Sequence, residues 1–251
     1  MLLLSSMLAL ASTAGCGRSG SSSGRLSSAA ATPDSASAHS LASGSAAPQS
    51  YGTKDTRPVI IAFGDSLTAG YGTDAGQSYP DYLQRELDAR GYRYHVMNEG
   101  ISGNTSKDGV LRLQQIIALH PAIVIVAFGG NDGLRGLPIM DSQMNLDTII
   151  STLQDAHAKV ILGGITLPPN YGRDYIEKFN RMYQQQARDY HAPLLPFMLK
   201  GAYGAPGCMQ ADGIHATAKG NQQVAKNFLP LLLPMLQKPQ KPRVYVSPAR
   251  P

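Results

Sequence analysis

Four short polar segments of this 251-residue chain combine residue types that could do chemistry together. The first, Gly64-Asp65-Ser66-Leu67-Thr68, abruptly ends the apolar run Val59-Ile60-Ile61-Ala62-Phe63. A serine just past such a run becomes a nucleophile when a neighbouring base takes its proton. The last, Asp212-Gly213-Ile214-His215, supplies a histidine as base, with an aspartate three residues earlier that can turn back and hold the imidazole tautomer. Between them lie Asn98-Glu99-Gly100-Ile101-Ser102-Gly103-Asn104-Thr105-Ser106 and Gly129-Gly130-Asn131-Asp132-Gly133-Leu134-Arg135-Gly136. Gly103, lacking a side chain, can expose its backbone N–H, and Asn131 can offer its amide N–H. Two such donors can hold the oxyanion of a tetrahedral intermediate. Read together, the parts make an acyl-transfer site.

Each residue alone also suits a blander role. A serine after aspartate often belongs to a helix cap, Gly103 suits a turn, Asn131 an Asx-turn and Asp212 a cap. The G-x-S-x-G nucleophile elbow is excluded, because Thr68 stands two places after Ser66. Of six histidines, only His215 shares a glycine-containing loop with an aspartate near the end of the folded segment. Joint placement at one sheet edge favours the chemical reading over the separate bland ones.

That placement depends on the elements. The run Val59–Phe63 reads as a strand buried on both faces, with further strands at Tyr94–Asn98, Ile123–Phe128, Val160–Gly163 and Leu194–Phe197. Helical patterns separate them. One is opened by Ser78 and Pro80 and carries Leu83 and Leu87; one runs from Ser106 through Leu113 and Ile117; a third shows Leu146, Ile149, Ile150 and Leu153 at i, i+3, i+4 and i+7. Ile176, Phe179 and Tyr183 mark a fourth, and a last begins at Thr217. Five strands alternating with helices predict an α/β fold, a three-layer α/β/α sandwich around a parallel sheet. Ligands of open α/β sheets collect outside the carboxyl ends of the strands, where the four polar segments fall.

In order and content, those segments resemble the four blocks of the GDSL, or SGNH, hydrolase superfamily, over nearly all of residues 58–236. Within that superfamily the chain resembles the bacterial periplasmic thioesterase I/lysophospholipase/arylesterase type, also through Leu167-Pro168-Pro169-Asn170-Tyr171-Gly172-Arg173. The resemblance implies a strand order of 2-1-3-4-5 (flavodoxin-like) and neither metal nor cofactor. It implies Ser66 as nucleophile, Asp212 and His215 as its partners, and the N–H groups of Ser66 and Gly103 with the Asn131 amide as the oxyanion hole. The apolar Leu134, Leu137, Leu167 and Pro168, together with Tyr171, are then expected to bind an acyl or aryl group. The activity expected is cleavage of carboxylic esters and thioesters by a monomer. Two alternatives are an acetyl esterase acting on cell-envelope glycans and an inactive lipid-binding lipoprotein.

Charge gives no argument for a nucleic-acid face on the core. The chain carries a net +5, but residues 1–57 hold four bases and two acids and residues 238–251 hold four bases and no acid, leaving the segment between them at −1. The chain divides into a signal segment (1–15), a Ser/Ala/Gly-rich tether (16–57), the hydrolase domain (58–237) and a basic Pro-rich tail (238–251). Met1–Leu10 is an apolar stretch too short to span a bilayer. Small residues and then Cys16 follow, which resembles a bacterial lipoprotein signal whose cleavage leaves a lipidated cysteine, although Thr13 stands where a leucine is usual. An ordinary cleaved signal with Cys16 incidental is the alternative. The expectation is a membrane-anchored protein of the periplasm or cell envelope. Full-length protein should then fractionate with membranes, and Cys16→Ser should release or misprocess it. Soluble wild-type protein beginning well after Cys16 would defeat the assignment.

Overall fold

The two-residue period of a strand explains the core. In β1 (Val59–Gly64), Ile60 and Ala62 face one apolar cluster while Ile61 and Phe63 face another. A strand buried on both sides must have layers on both sides. In the computed structural model, which describes residues 55–237, β1 lies at the interior of a five-stranded parallel sheet of order β2-β1-β3-β4-β5. The other strands are β2 (His95–Gly100), β3 (Pro121–Ala127), β4 (Lys159–Gly163) and the short β5 (Leu194–Leu195). The signal segment, Cys16, most of the tether and the basic tail lie outside the described residues.

Seven α-helices in the described residues complete the sandwich: α1 (Ser66–Ala69), α2 (Tyr79–Ala89), α3 (Ser106–Ile117), α4 (Gly130–Leu134), α5 (Ile139–Asp155), α6 (Arg173–Asp189) and α7 (Ala218–Leu232). On one face α2 and α7 cover Ile60, Ala62, Ile123 and Ile125, with Tyr79 of α2 stacked on Phe228 of α7 at 5.3 Å between ring centroids. On the other, α3, α5 and α6 cover Ile61, Phe63, Val124 and Val126. The starts follow from sequence: Ser78 and Thr105 each form a capping box with the aspartate three residues on, and Thr217 caps α7. Chain reversal after α3, α5 and α6 uses His120, His157 and His191, each with φ of 50–64°. Histidine is among the non-glycine residues enriched in that conformation.

The main departures from the sequence reading concern short elements. β5 pairs over two residues, not four, because the chain bends away at Pro196, which has no N–H to give to a ladder. Asn131 lies in the one-turn helix α4, not in a free loop.

Two glycines set the position of α1. Gly64 and Gly100 are register partners at the ends of β1 and β2, and α1 lies against them. A Cβ on Gly100 would stand 2.2 Å from the backbone nitrogen of Ala69, and one on Gly64 would stand 2.6 Å from the Ala127 carbonyl oxygen. These neighbours are backbone and cannot rotate away. Gly100→Ala should therefore push α1 out of register with β2, destabilising the protein by at least about 1–3 kcal/mol as overpacking does. Urea unfolding checks the stability. A proportionally larger loss of ester hydrolysis at temperatures where the variant is folded would show that α1 has moved.

Candidate active site

Every strand releases its chain at the same edge of the sheet, and the site is assembled there from all five exits and the hairpin before α7. Ser66 is the first residue of α1, directly after β1. The helix cap is Asp65, not Ser66: its carboxylate accepts from the Leu67 N–H at 3.0 Å. The Ser66 hydroxyl is thus free of capping duty. His215 lies on a hairpin closed by the antiparallel bridge Met209–Ala216, with the Gln210 N–H donating to the His215 carbonyl at 2.8 Å.

These two residues meet. His215 Nε2 lies 2.9 Å from Ser66 Oγ, and His215 Nδ1 lies 2.6 Å from Asp212 Oδ2. The other Asp212 oxygen accepts from the backbone N–H groups of Ile214 and His215 at 2.9 and 3.0 Å. Desolvation opposes ionisation of Asp212, but the His215 and Ile214 N–H groups and the imidazole outweigh it and bring the carboxyl down to about 2. An ionised Asp212 accepts from Nδ1–H, which leaves Nε2 with a lone pair toward the serine hydroxyl. A second link holds the halves together. The Gln210 amide donates to the Tyr71 carbonyl at 2.6 Å and to the Ala216 carbonyl at 2.9 Å, and the Tyr71 ring lies 4.7 Å from that of His215.

The oxyanion candidates sit on neighbouring exits. Gly103 lies in the loop after β2, exposed, with φ of 83°. Its carbonyl accepts from Arg135 at 2.9 Å, while neither its own N–H nor that of Ser66 has an acceptor among the described residues. Asn131, in α4, donates through its amide to the Asn104 carbonyl at 2.8 Å, and the same nitrogen lies 3.5 Å from Asp65 Oδ2. Burial pushes the Asp65 carboxyl up to about 7, against the opposing influence of the Leu67 N–H and His215.

Behind α4 lies a polar core that fixes its orientation. Buried Asp132 accepts from the Ser106 N–H at 2.9 Å, the Ser106 hydroxyl at 2.5 Å and the Ser142 hydroxyl at 3.1 Å, and Asn145 donates to Ser106 Oγ at 3.0 Å. Those bonds join α3, α4 and α5 and so hold the short helix that carries Asn131.

Ser66, Asn131 and His215 open on a cavity of about 290 Å³ with mainly apolar walls. Leu134, Leu167 and Pro168 are among its lining residues. Leu137 and Tyr171 are not: the Tyr171 hydroxyl donates to the Leu134 carbonyl at 2.7 Å, and the Leu137 carbonyl accepts from Tyr175 at 3.1 Å, so both brace the wall from outside. The sequence reading missed Ile165, Phe197, Leu199 and Tyr203, which supply much of the apolar surface. Phe197 and Leu199 follow the bend at Pro196. The available signal was that an apolar run outlasted its strand at the edge where ligands collect.

The chain was compared with known proteins. The model of the GDSL-like lipase/acylhydrolase family matches residues 62–223. Esterase TesA of Pseudomonas aeruginosa is 42% identical over 71% of this chain and 89% of that protein, and its crystal structure superposes with a TM-score of 0.69. The thioesterase 1/protease 1/lysophospholipase L1 of Escherichia coli is 36% identical over 71% of this chain and 85% of its own length. The psychrotrophic esterase EstA of Pseudoalteromonas, solved as inhibited by monoethylphosphonate, is 31% identical with a TM-score of 0.67, over 70% of this chain and 97% of that one. With the match covering most of the sheet and all four polar segments, the chain belongs to the GDSL-like lipase/acylhydrolase family.

Proposed function

We propose that this protein is a serine hydrolase that cleaves carboxylic esters and thioesters through an acyl-enzyme on Ser66. The observation that carries the reading is the hydrogen-bonded series Asp212–His215–Ser66 at the mouth of an apolar cavity. Ser66 Oγ attacks the acyl carbonyl carbon as His215 Nε2 takes its proton. The imidazolium that forms is stabilised by Asp212, which stays ionised across the neutral range. The N–H groups of Ser66 and Gly103 and the Asn131 amide receive the oxyanion. His215 then gives its proton to the departing alkoxide or thiolate. In deacylation it takes a proton from water, whose oxygen attacks the acyl carbon, and it returns that proton to Ser66 Oγ as the acyl–oxygen bond breaks and the carboxylic acid departs.

The cavity supports a medium-length acyl or aryl group over acetyl alone, since Leu134, Ile165, Leu167, Phe197 and Leu199 provide far more apolar wall than a methyl group can cover. The sequence of the first sixteen residues supports placing this activity in the cell envelope, on a lipid anchor at Cys16.

Ser66→Ala should abolish covalent labelling by a fluorophosphonate and lower kcat for p-nitrophenyl butyrate by at least about 10³-fold, as loss of a triad nucleophile does. Labelling that survives the substitution would mean another nucleophile. The cavity assignment is tested at Leu134, which is only partly buried and leaves room for a larger ring. Leu167 suits this less well, because it is buried tightly beneath Gly133. Each added methylene gains up to about 0.8 kcal/mol until the cavity is full. Leu134→Trp should therefore reduce kcat/KM for octanoyl p-nitrophenyl ester by about tenfold or more while sparing the acetyl ester. An equal loss at every chain length would place the damage in the catalytic loops and remove Leu134 from the acyl site.

A further inference from the structure

The described domain is polar in an unexpected sense: its exposed large apolar side chains gather on one side. Eight such residues occur, and six of them, Tyr71, Ile101, Leu137, Met140, Tyr203 and Ile214, stand at the sheet edge that carries the site, each 37–63% exposed. Tyr203 and Ile214 line the cavity itself, Tyr71 lies against His215, and Ile101 stands two residues before Gly103. Leu137 follows α4, and Met140 opens α5. The remaining two, Leu111 and Met144, lie further down α3 and α5. None stands in the loops at the opposite edge. Isolated exposed apolar residues are ordinary, but their collection at the one edge that carries the cavity mouth marks an interaction surface.

The chain outside the domain bears on what that surface meets. Both ends leave the domain at the opposite edge. Arg57 donates to the Tyr94 carbonyl at 3.1 Å, the Gln237 N–H donates to the Tyr94 hydroxyl at 3.0 Å, and Lys159, which opens β4, donates to the Met235 carbonyl at 3.1 Å. A short connection to a membrane anchor would thus turn the mouth away from the bilayer. Residues 17–54 can instead reach as far as about 130 Å when extended, several times the width of a domain of this size, whose radius of gyration is about 16 Å. That length lets an anchored domain present either pole to the bilayer.

We propose that the apolar rim around the Ser66 cavity is a docking surface for a lipid bilayer, so that acyl chains enter the cavity from the membrane. The inference rests on the acyl-hydrolase reading for the use the contact is put to. The contact is made by the apolar side chains named, and residues 58–237, with a net charge of −1, offer no excess of positive charge to anionic lipid. It is separate from the anchor and survives its removal.

The test uses the processed chain, residues 16–251, carrying Cys16→Ser so that no lipid is attached, with and without Ile101→Ser and Met140→Ser together. Neither side chain is assigned to the catalytic groups or the cavity wall. Flotation with neutral phosphatidylcholine vesicles should show binding that falls about tenfold or more in the doubly substituted chain, with turnover of soluble p-nitrophenyl butyrate unchanged; that turnover also certifies folding. Equal flotation of both chains, or none by the parent, overturns the proposal. Binding confined to anionic vesicles and released by salt would assign the contact to the basic tail and overturn it too. A concentration-dependent dimer lost on substitution would make the rim an interface between copies instead. Absence of turnover on every acyl ester in the parent chain would refute the hydrolase reading, while the flotation result still decides the docking surface.

Discussion

The 2.9 Å contact between Ser66 and His215 joins residues 149 positions apart, and no local structure can hold such a contact. It exists because a parallel sheet sends β1 and β5 out at the same edge and α7 returns across the sheet from the histidine hairpin. The stacking of Tyr79 on Phe228 locks α2 to α7, and so fixes where that hairpin starts. Local bonds then remove the remaining freedom. Gln210 ties the hairpin to the Tyr71 carbonyl, and the Tyr71 N–H in turn donates to the Ser66 carbonyl at 3.0 Å. A tolerance of a few tenths of an ångström thus emerges from hydrophobic packing that alone is far less specific.

Two buried carboxyls sit close to that contact and have been handled differently. Asp132 receives three hydrogen bonds, from Ser106 and Ser142, as a buried polar group requires. Those bonds turn it into a rivet between helices. Asp65 receives one good bond, from Leu67, and burial raises its pKa to about 7. In its neutral form it places no full negative charge beside the Asn131 amide, 3.5 Å away. On the roles proposed for these residues, that matters: a fully charged carboxylate there would compete with the oxyanion for the same donor. The cap that leaves Ser66 free is therefore also a group whose charge burial disfavours.

Much of this was legible in the residues. Strand runs buried on both faces, capping boxes at Ser78 and Thr105, and the i, i+3, i+4, i+7 stripe from Leu146 all have a local physical cause, and local causes show in sequence. The four polar segments could be placed at one edge because parallel connectivity leaves no other arrangement. What escaped was set by tertiary contact. The end of β5 depends on where the chain must turn toward the cavity, and α4 is a single turn held through its own Asp132, which is bonded to Ser106 of α3 and Ser142 of α5. Leu137 and Tyr171 have the right chemistry and neighbourhood for the cavity wall, yet hydrogen bonds at Tyr171 and at the Leu137 carbonyl brace the wall from outside it. Sequence spacing cannot distinguish the two sides of one loop.

The same sheet polarity separates two kinds of sequence freedom. At the carboxyl edge, each exit is constrained by atoms from another exit: Gly100 by Ala69, Gly103 by Arg135, Asn131 by Asn104. A change in one loop must be met by the others. At the opposite edge the chain reverses through histidines in a left-handed conformation and through the contacts of Tyr94 with both ends of the domain. None of those groups touches Ser66, Asn131 or His215. Extensions can therefore lengthen or change in composition at that pole without disturbing the chemistry, which is where this chain carries its Ser/Ala/Gly-rich segment and its basic tail. A long insertion between β2 and α3, by contrast, would have to preserve the Asn104 carbonyl on which the Asn131 amide is seated.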